Sequence, residues 1–163
     1  MSTPLHIDFV CTGNICRSPM AEIIIRAKLK EAALDRAVRV SSSGIGGWHV
    51  GHHADDRALQ ELEDNGYDGS RHRAQQFGAA QQEADLIVAL EGRHVSELVA
   101  RGVPEDKIRL LRSFDPDAPE GAGVEDPYYG GQEGFAVTRE QIEAAAPGII
   151  AWVRAHGADS ATA

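Results

Sequence analysis

Residues Val10–Glu22 read VCTGNICRSPMAE. An apolar stretch, LHIDFV from Leu5, runs into them and reads as a strand. On the far side Ser18 is a good helix N-cap, and Pro19 falls where a helix accepts proline, at its first position. Met20, Ile23, Ile24 and Ala27 then share one helical face, which predicts a helix from Ser18 to about Leu34. A strand, a tight loop and a helix in that order open an α/β fold.

The rest of the chain repeats the alternation. VRVSSSG, ending at Gly44, reads as a second strand, and the glycine-rich GIGGWHVGHH after it as a loop. Ala54 to Asn65 reads as a helix with Gly66 as its C-cap. ADLIVAL (Ala84 to Leu90) is a continuous apolar run, typical of a strand buried on both faces. A helix is expected from about Arg93 to Ala100, and KIRLLRSF carries the next strand. DPDAPEGAGVEDPYYGG reads as a long loop. From about Gln132 the chain is expected to be helical, kinked or divided at Pro147. The expectation is a doubly wound α/β sandwich, with a central four-stranded parallel sheet and helices on both faces. In such sheets, ligands bind beyond the carboxyl ends of the strands. Cys11, the end of the second strand and the loop after LLRSF all fall there.

The chain has 163 residues, 42% hydrophobic and 25% charged, as in an ordinary globular protein of one domain. Residues 1–157 are expected to form that domain, with 158–163 a disordered tail. A net charge of −9 argues against nucleic acid as a partner, since that needs a basic face. It leaves room for a locally positive pocket. No stretch approaches the roughly 20 apolar residues of a membrane span. MSTPLHIDFV lacks the pattern of a signal peptide. The two cysteines, Cys11 and Cys16, form no disulfide framework and suit a reducing compartment. A cytoplasmic location is expected, with unconventional export left open.

In the opening loop, Cys11 and Arg17 stand in a C-x5-R-S pattern. A loop that ends on a helix N-terminus directs backbone N–H groups and the helix dipole at one centre, which suits an oxyanion. The same surroundings favour a thiolate, so Cys11 is the expected nucleophile. Gly13 allows close backbone approach, and Asn14 tolerates a left-handed conformation. Arg17 offers a planar fork for two phosphate oxygens. The Ser18 hydroxyl can donate to the Cys11 sulfur. Together they imply transfer of a phosphoryl group to sulfur, with Cys11 to Ser18, including Thr12, Ile15 and Cys16, as the phosphate-binding loop. The P-loop pattern G-x4-G-K-[ST] is absent.

VCTGNICRSPMAE resembles the signature of the low molecular weight protein-tyrosine phosphatases, and EDPYYG (Glu125 to Gly130) is similar to that family's second signature. The likeness extends over nearly the whole chain and is nearest the bacterial branch, where a tryptophan also follows the second strand, here Trp48. The resemblance implies hydrolysis of phosphotyrosine in proteins through a phosphocysteine intermediate, without a cofactor or metal.

The leaving tyrosyl oxygen needs a proton, and a positioned acid contributes about 10²–10⁴-fold. The residues alone leave two Asp-Pro candidates, Asp115 and Asp126; the resemblance selects Asp126, in DPYY, as general acid and later base. Tyr128 and Tyr129 are expected to form one aromatic wall of the substrate pocket, with Trp48 and His49 opposite and Ile15 against the ring. The tandem tyrosines are candidate targets of a tyrosine kinase. The resemblance also implies that Ser42 and His72, the latter in SRHRAQQ, support the loop asparagine. Cys16 could pair with Cys11 under oxidation and protect it. HVGHHADD offers three histidines and two aspartates, but in no known metal-ligand spacing. Three rivals remain. A phosphoarginine phosphatase of the same fold is disfavoured by Ile15 and Tyr128. An arsenate reductase would need cysteines after Cys16. A non-catalytic phosphotyrosine-binding module would be expected to lack Cys11 or Asp126.

Overall fold

The structure, a computed structural model, describes residues 4–158. Strands β1 (Leu5–Cys11), β2 (Val38–Gly44), β3 (Leu86–Ala89) and β4 (Ile108–Leu110) form one parallel sheet in the order β2-β1-β3-β4. Successive side chains on a strand face opposite ways, and here they supply two cores. Ile7, Phe9 and Cys11 join Val40, Leu86 and Val88 on one face. Val10, Ile87 and Ala89 join Leu98 and Ile108 on the other. Helices α1 (Arg17–Glu31) and α5 (Gln132–Val153) cover the first face through Met20, Ile24, Phe135, Ile142 and Ile149. Helix α4 (Gly92–Ala100) covers the second through Leu98. The expected sandwich with helices on both faces is the fold observed.

Several boundaries differ from the sequence reading. α1 begins at Arg17, capped by the backbone of Cys16 and by no side chain. Ser18 and Pro19 therefore sit inside the first turn, because the Ser18 hydroxyl is taken up by the loop. β4 spans only three residues, and LRSF (Leu111–Phe114) winds into a 3₁₀ turn that buries Leu111 and Phe114. α2 (Asp56–Asp64) matches its expectation, with Asp55 accepting from the Arg57 N–H as N-cap at 2.9 Å. A four-residue helix, α3 (Ala79–Gln82), is too short to leave a periodic signal. α5 is not divided at Pro147. The proline costs one ladder bond, and burial of Ala145, Ala146 and Ile149 around it offsets that loss. The tail expected from residue 158 lies, apart from Ala158 itself, outside the described residues. Among the described residues no helix is long and apolar enough to cross a membrane.

In this order successive strands are added to one side of β1 and then to the other, so the winding of the sheet reverses between β1 and β3 and opens a crevice beyond their carboxyl ends. Cys11 ends β1 and Glu91 lies two residues beyond β3, so both stand at that crevice.

Candidate active site

The loop from Cys11 to Cys16 is held by its asparagine. Asn14 is fully buried and left-handed, at φ 58°. Its Nδ2 donates to Ser18 Oγ at 2.8 Å and to Ser42 Oγ at 2.9 Å, and its Oδ1 accepts from the Gln75 N–H at 2.9 Å. His72 Nε2 lies 2.8 Å from the Asn14 carbonyl. Ser42, and not its neighbours, reaches the loop because β2 alternates: Phe9 pairs with Ser42 on the α1 face. Ser41 and Ser43 face the other way, onto Asp8. Gly44 ends β2 against the loop, and a Cβ there would meet the Gly13 carbonyl carbon at 2.9 Å.

Cys11 Sγ lies 3.0 Å from Ser18 Oγ, and both residues are buried. Arg17 is 1% exposed and tightly partnered. Its Nη1 donates to Glu91 Oε1 at 2.7 Å and to the Val124 carbonyl at 2.8 Å. Its Nη2 reaches Thr12 Oγ1 at 3.3 Å and stands 3.6 Å from Asp126 Oδ2. Thr12 Oγ1 also accepts from Arg93 Nη2 at 3.0 Å and lies 3.0 Å from His94 Nε2. Burial pushes the Glu91 carboxyl up, but the Arg17 and Arg93 guanidiniums outweigh it and hold it below the usual carboxylate range. Burial, then the Arg17 charge, pushes His94 down to about 4. His94 is therefore neutral beside the cations at pH 7.

Asp126 caps a 3₁₀ turn, Pro127–Tyr129, by accepting from the Tyr128 N–H at 3.1 Å. Arg57 ties this turn to α2. It donates to the Tyr128 carbonyl at 2.9 Å and the Gly130 carbonyl at 3.0 Å while ion-paired to Asp55. Its guanidinium also lies 5.5 Å from the Tyr128 ring centre.

A cavity of about 340 Å³ opens over the loop, a size suited to a small organic group. Cys11, Thr12, Gly13, Ile15, Cys16 and Arg17 form its floor. Trp48 and His49 stand on its rim, with Asp126, Tyr128 and Tyr129. Trp48 is 72% exposed and Tyr129 90%, so the rim aromatics project to solvent. Asp115 does not line the cavity; its carboxylate accepts from the Asp117 N–H at 3.0 Å, closing a turn. Cys11 and Cys16 are both free thiols. Burial, and then the Asp55 charge, push the Cys16 thiol up, so it stays protonated. Among the described residues no group of His, Cys, Asp or Glu is arranged to hold a metal ion.

Glu91, Arg93, His94, Arg57 and Gln75 were not singled out in the sequence. For the first three the available signal was their place in LEGRHV, just past the carboxyl end of a buried strand, where such sheets build their sites. Arg57 and Gln75 left no local signal.

Residues 6–158 match the family described as low molecular weight phosphotyrosine protein phosphatase. The chain is 50% identical over 154 residues to low molecular weight protein-tyrosine phosphatase A of Mycobacterium tuberculosis, covering 94% of each chain. The crystal structure of YfkJ from Bacillus subtilis superposes with a TM-score of 0.87 at 28% identity, covering 94% of this chain and 96% of that one. That of DARP, a Drosophila arginine phosphatase, superposes at 0.81 with 30% identity, covering 88% and 94%.

Proposed function

Because the chain belongs to the low molecular weight phosphotyrosine protein phosphatase family, we propose that it hydrolyses phosphotyrosine in proteins, with Cys11 as nucleophile, Arg17 as phosphate clamp and Asp126 as general acid and base. One observation carries the assignment of residues: Cys11, Arg17 and Asp126 face a single cavity, with Arg17 and Asp126 3.6 Å apart.

In the first step the Cys11 thiolate attacks phosphorus. The S–P bond forms as the P–O bond to tyrosine breaks, and Asp126 gives its proton to the leaving oxygen. In the second, water attacks phosphorus and loses a proton to Asp126. The S–P bond breaks, and the Ser18 hydroxyl at 3.0 Å stabilises the returning thiolate. Glu91 and Val124 occupy Nη1 of Arg17, which leaves the Nη2 side of the fork for the phosphate oxygens. The N-terminus of α1 adds its partial positive charge. Ser42 and His72 support the loop through Asn14.

Ile15 and the rim residues Trp48, His49, Tyr128 and Tyr129 favour an aromatic ring over a guanidinium. Residues 1–157 act as one phosphatase domain in this reading. Thiolate chemistry at Cys11 suits a reducing compartment, hence the cytoplasm, and Cys16 is positioned in the same loop to protect Cys11 as a disulfide under oxidation. The exposed Tyr129 and half-exposed Tyr128 are offered as tyrosine kinase targets; equal phosphate incorporation into wild type and a Tyr128→Phe/Tyr129→Phe variant refutes that. The deciding experiment compares a phosphotyrosine peptide with a phosphoarginine peptide, with Cys11→Ser as control. Release from phosphotyrosine alone, absent in Cys11→Ser while phosphate binding persists, is expected. A preference for phosphoarginine overturns the pocket assignment, and no turnover of either overturns the enzyme.

A further inference from the structure

Away from the active-site cavity, a groove of about 460 Å³ lies at the outer edge of the sheet, between β2 and α1. β2 is the edge strand. Three cations reach into the groove, Arg26 and Lys30 from α1 and Arg36 from the connection; Arg39 of β2 borders it but turns its Nη2 to the opposite face of the sheet, 3.2 Å from His6 Nδ1. Asp35 is the one carboxylate among the lining residues, so these three cations leave a formal excess of two positive charges on a chain of net charge −9, with Arg26 also paired to Glu22 beside the groove. Like charges gathered on an otherwise acidic surface repel one another, and an anion relieves that repulsion. The side chains of Lys30 and Arg36 make no hydrogen bond or ion pair among the described residues, so both are free to meet a ligand. The floor is apolar, formed by the buried Leu29, Val38 and Val40.

Two features select the kind of ligand. The volume is that of a small-molecule site, about 300–1,000 Å³. Arg26 Nη2 donates to the Val40 carbonyl at 2.8 Å, which occupies an edge-strand acceptor that an added peptide strand would need. Three cations around one compact space call for closely spaced negative charges, as in a chain of phosphates.

The groove is also wired to the phosphate loop. Arg26 is ion-paired with Glu22, one helical turn earlier. Glu22 Oε1 accepts from Ser42 Oγ at 2.5 Å, and Ser42 accepts from Asn14 at 2.9 Å. An anion that draws Arg26 from Glu22 changes the charge Ser42 sees, and Asn14 holds the loop through Ser42. We propose that this groove binds a small molecule carrying several phosphate groups, and that its occupancy alters turnover through Arg26, Glu22, Ser42 and Asn14.

The probe is inorganic triphosphate, titrated calorimetrically into the full chain at physiological salt, with saturating inorganic phosphate filling the active site. One equivalent is expected to bind, at least tenfold more weakly in a Lys30→Glu/Arg36→Glu variant. Both substituted side chains are exposed and outside the catalytic machinery, so the variant's turnover without triphosphate should stay within twofold of wild type. ATP as a second probe distinguishes a nucleotide, held also by the apolar floor, from a bare phosphate chain. No binding once the active site is filled, or equal binding by the variant, overturns the site. For the coupling, triphosphate should change the wild-type kcat on saturating para-nitrophenyl phosphate and leave that of the variant unchanged. Purely competitive inhibition, alike in both proteins, overturns the coupling. The coupling rests on the phosphatase reading; the calorimetric arm does not, and a chain inactive on phosphotyrosine leaves it intact.

Discussion

Glu91 decides which side of Arg17 a ligand meets. Its carboxylate lies 2.7 Å from Nη1 and, with the Val124 carbonyl, fixes a guanidinium that solvent scarcely reaches. A hydrogen bond to a charged partner contributes about 1.5–3 kcal/mol, so Glu91→Ala should lower kcat/KM about 10–100-fold. Glu91→Gln keeps an acceptor and should recover part of the loss. Steady-state rates on para-nitrophenyl phosphate test this; an unchanged rate in Glu91→Ala removes its positioning role. Asp126→Ala should cost about 10²–10⁴-fold on aryl phosphates with poor leaving groups and much less on good ones. A loss independent of leaving-group pKa removes Asp126 as the acid. The two residues were not equally legible. Asp126 sits in a recognisable DPYY stretch, whereas Glu91 is one acidic residue among many until β3 is placed beside β1.

At the scale of elements, α5 shows where local propensity stops deciding. Gly148 and Pro147 adjoin in mid-helix, a pair that reads as a break. The helix continues because it packs on the 3₁₀ turn Leu111–Phe114 with no room for a side chain. A Cβ on Gly148 would stand 2.2 Å from the Phe114 carbonyl oxygen. Alanine in place of an exposed helical glycine gains about 1 kcal/mol, but overpacking costs about 1–3 kcal/mol. Gly148→Ala should therefore lower the melting temperature, and a raised one refutes the close contact. The same contact explains why KIRLLRSF yields so short a strand: after Leu110 the chain must turn to seat Phe114 under α5.

For the whole molecule, two buried groups with opposite signs shape stability against pH. Burial raises Asp8 from 3.8 to about 6, although hydrogen bonds from Ser41 and Ser43 restrain it. The native state thus holds this proton more tightly than the unfolded chain, and stability falls by about 3 kcal/mol as pH rises from about 4 to 6. His94, lowered from 6.5 to about 4, does the reverse, and stability rises by about 3 kcal/mol over nearly the same window. Burial lowers His6 and His72 too, which adds to the His94 side. Asp8→Asn removes only the first contribution. The variant should be more stable than wild type by up to about 3 kcal/mol at pH 8 and lose that advantage by pH 4. Thermal melts at pH 8, 6 and 4 check this; an advantage equal at both ends refutes a charged, buried Asp8.

The sequence by itself determined the strand–loop–helix entry and the parallel α/β class, and singled out Cys11 and Arg17 as candidates, because these depend on local periodicity and short spacings. It also pointed to Asp126, Ser42 and His72, by resemblance. Only the tertiary structure decided what holds those residues in place. Glu91 reaches Arg17 across 74 positions, Arg57 reaches the Tyr128 carbonyl across 71 and Gln75 reaches Asn14 across 61. The basic groove likewise gathers residues from α1, β2 and the chain between them. Such pairings follow from strand order and helix packing, which bring distant segments together without leaving a pattern in either one.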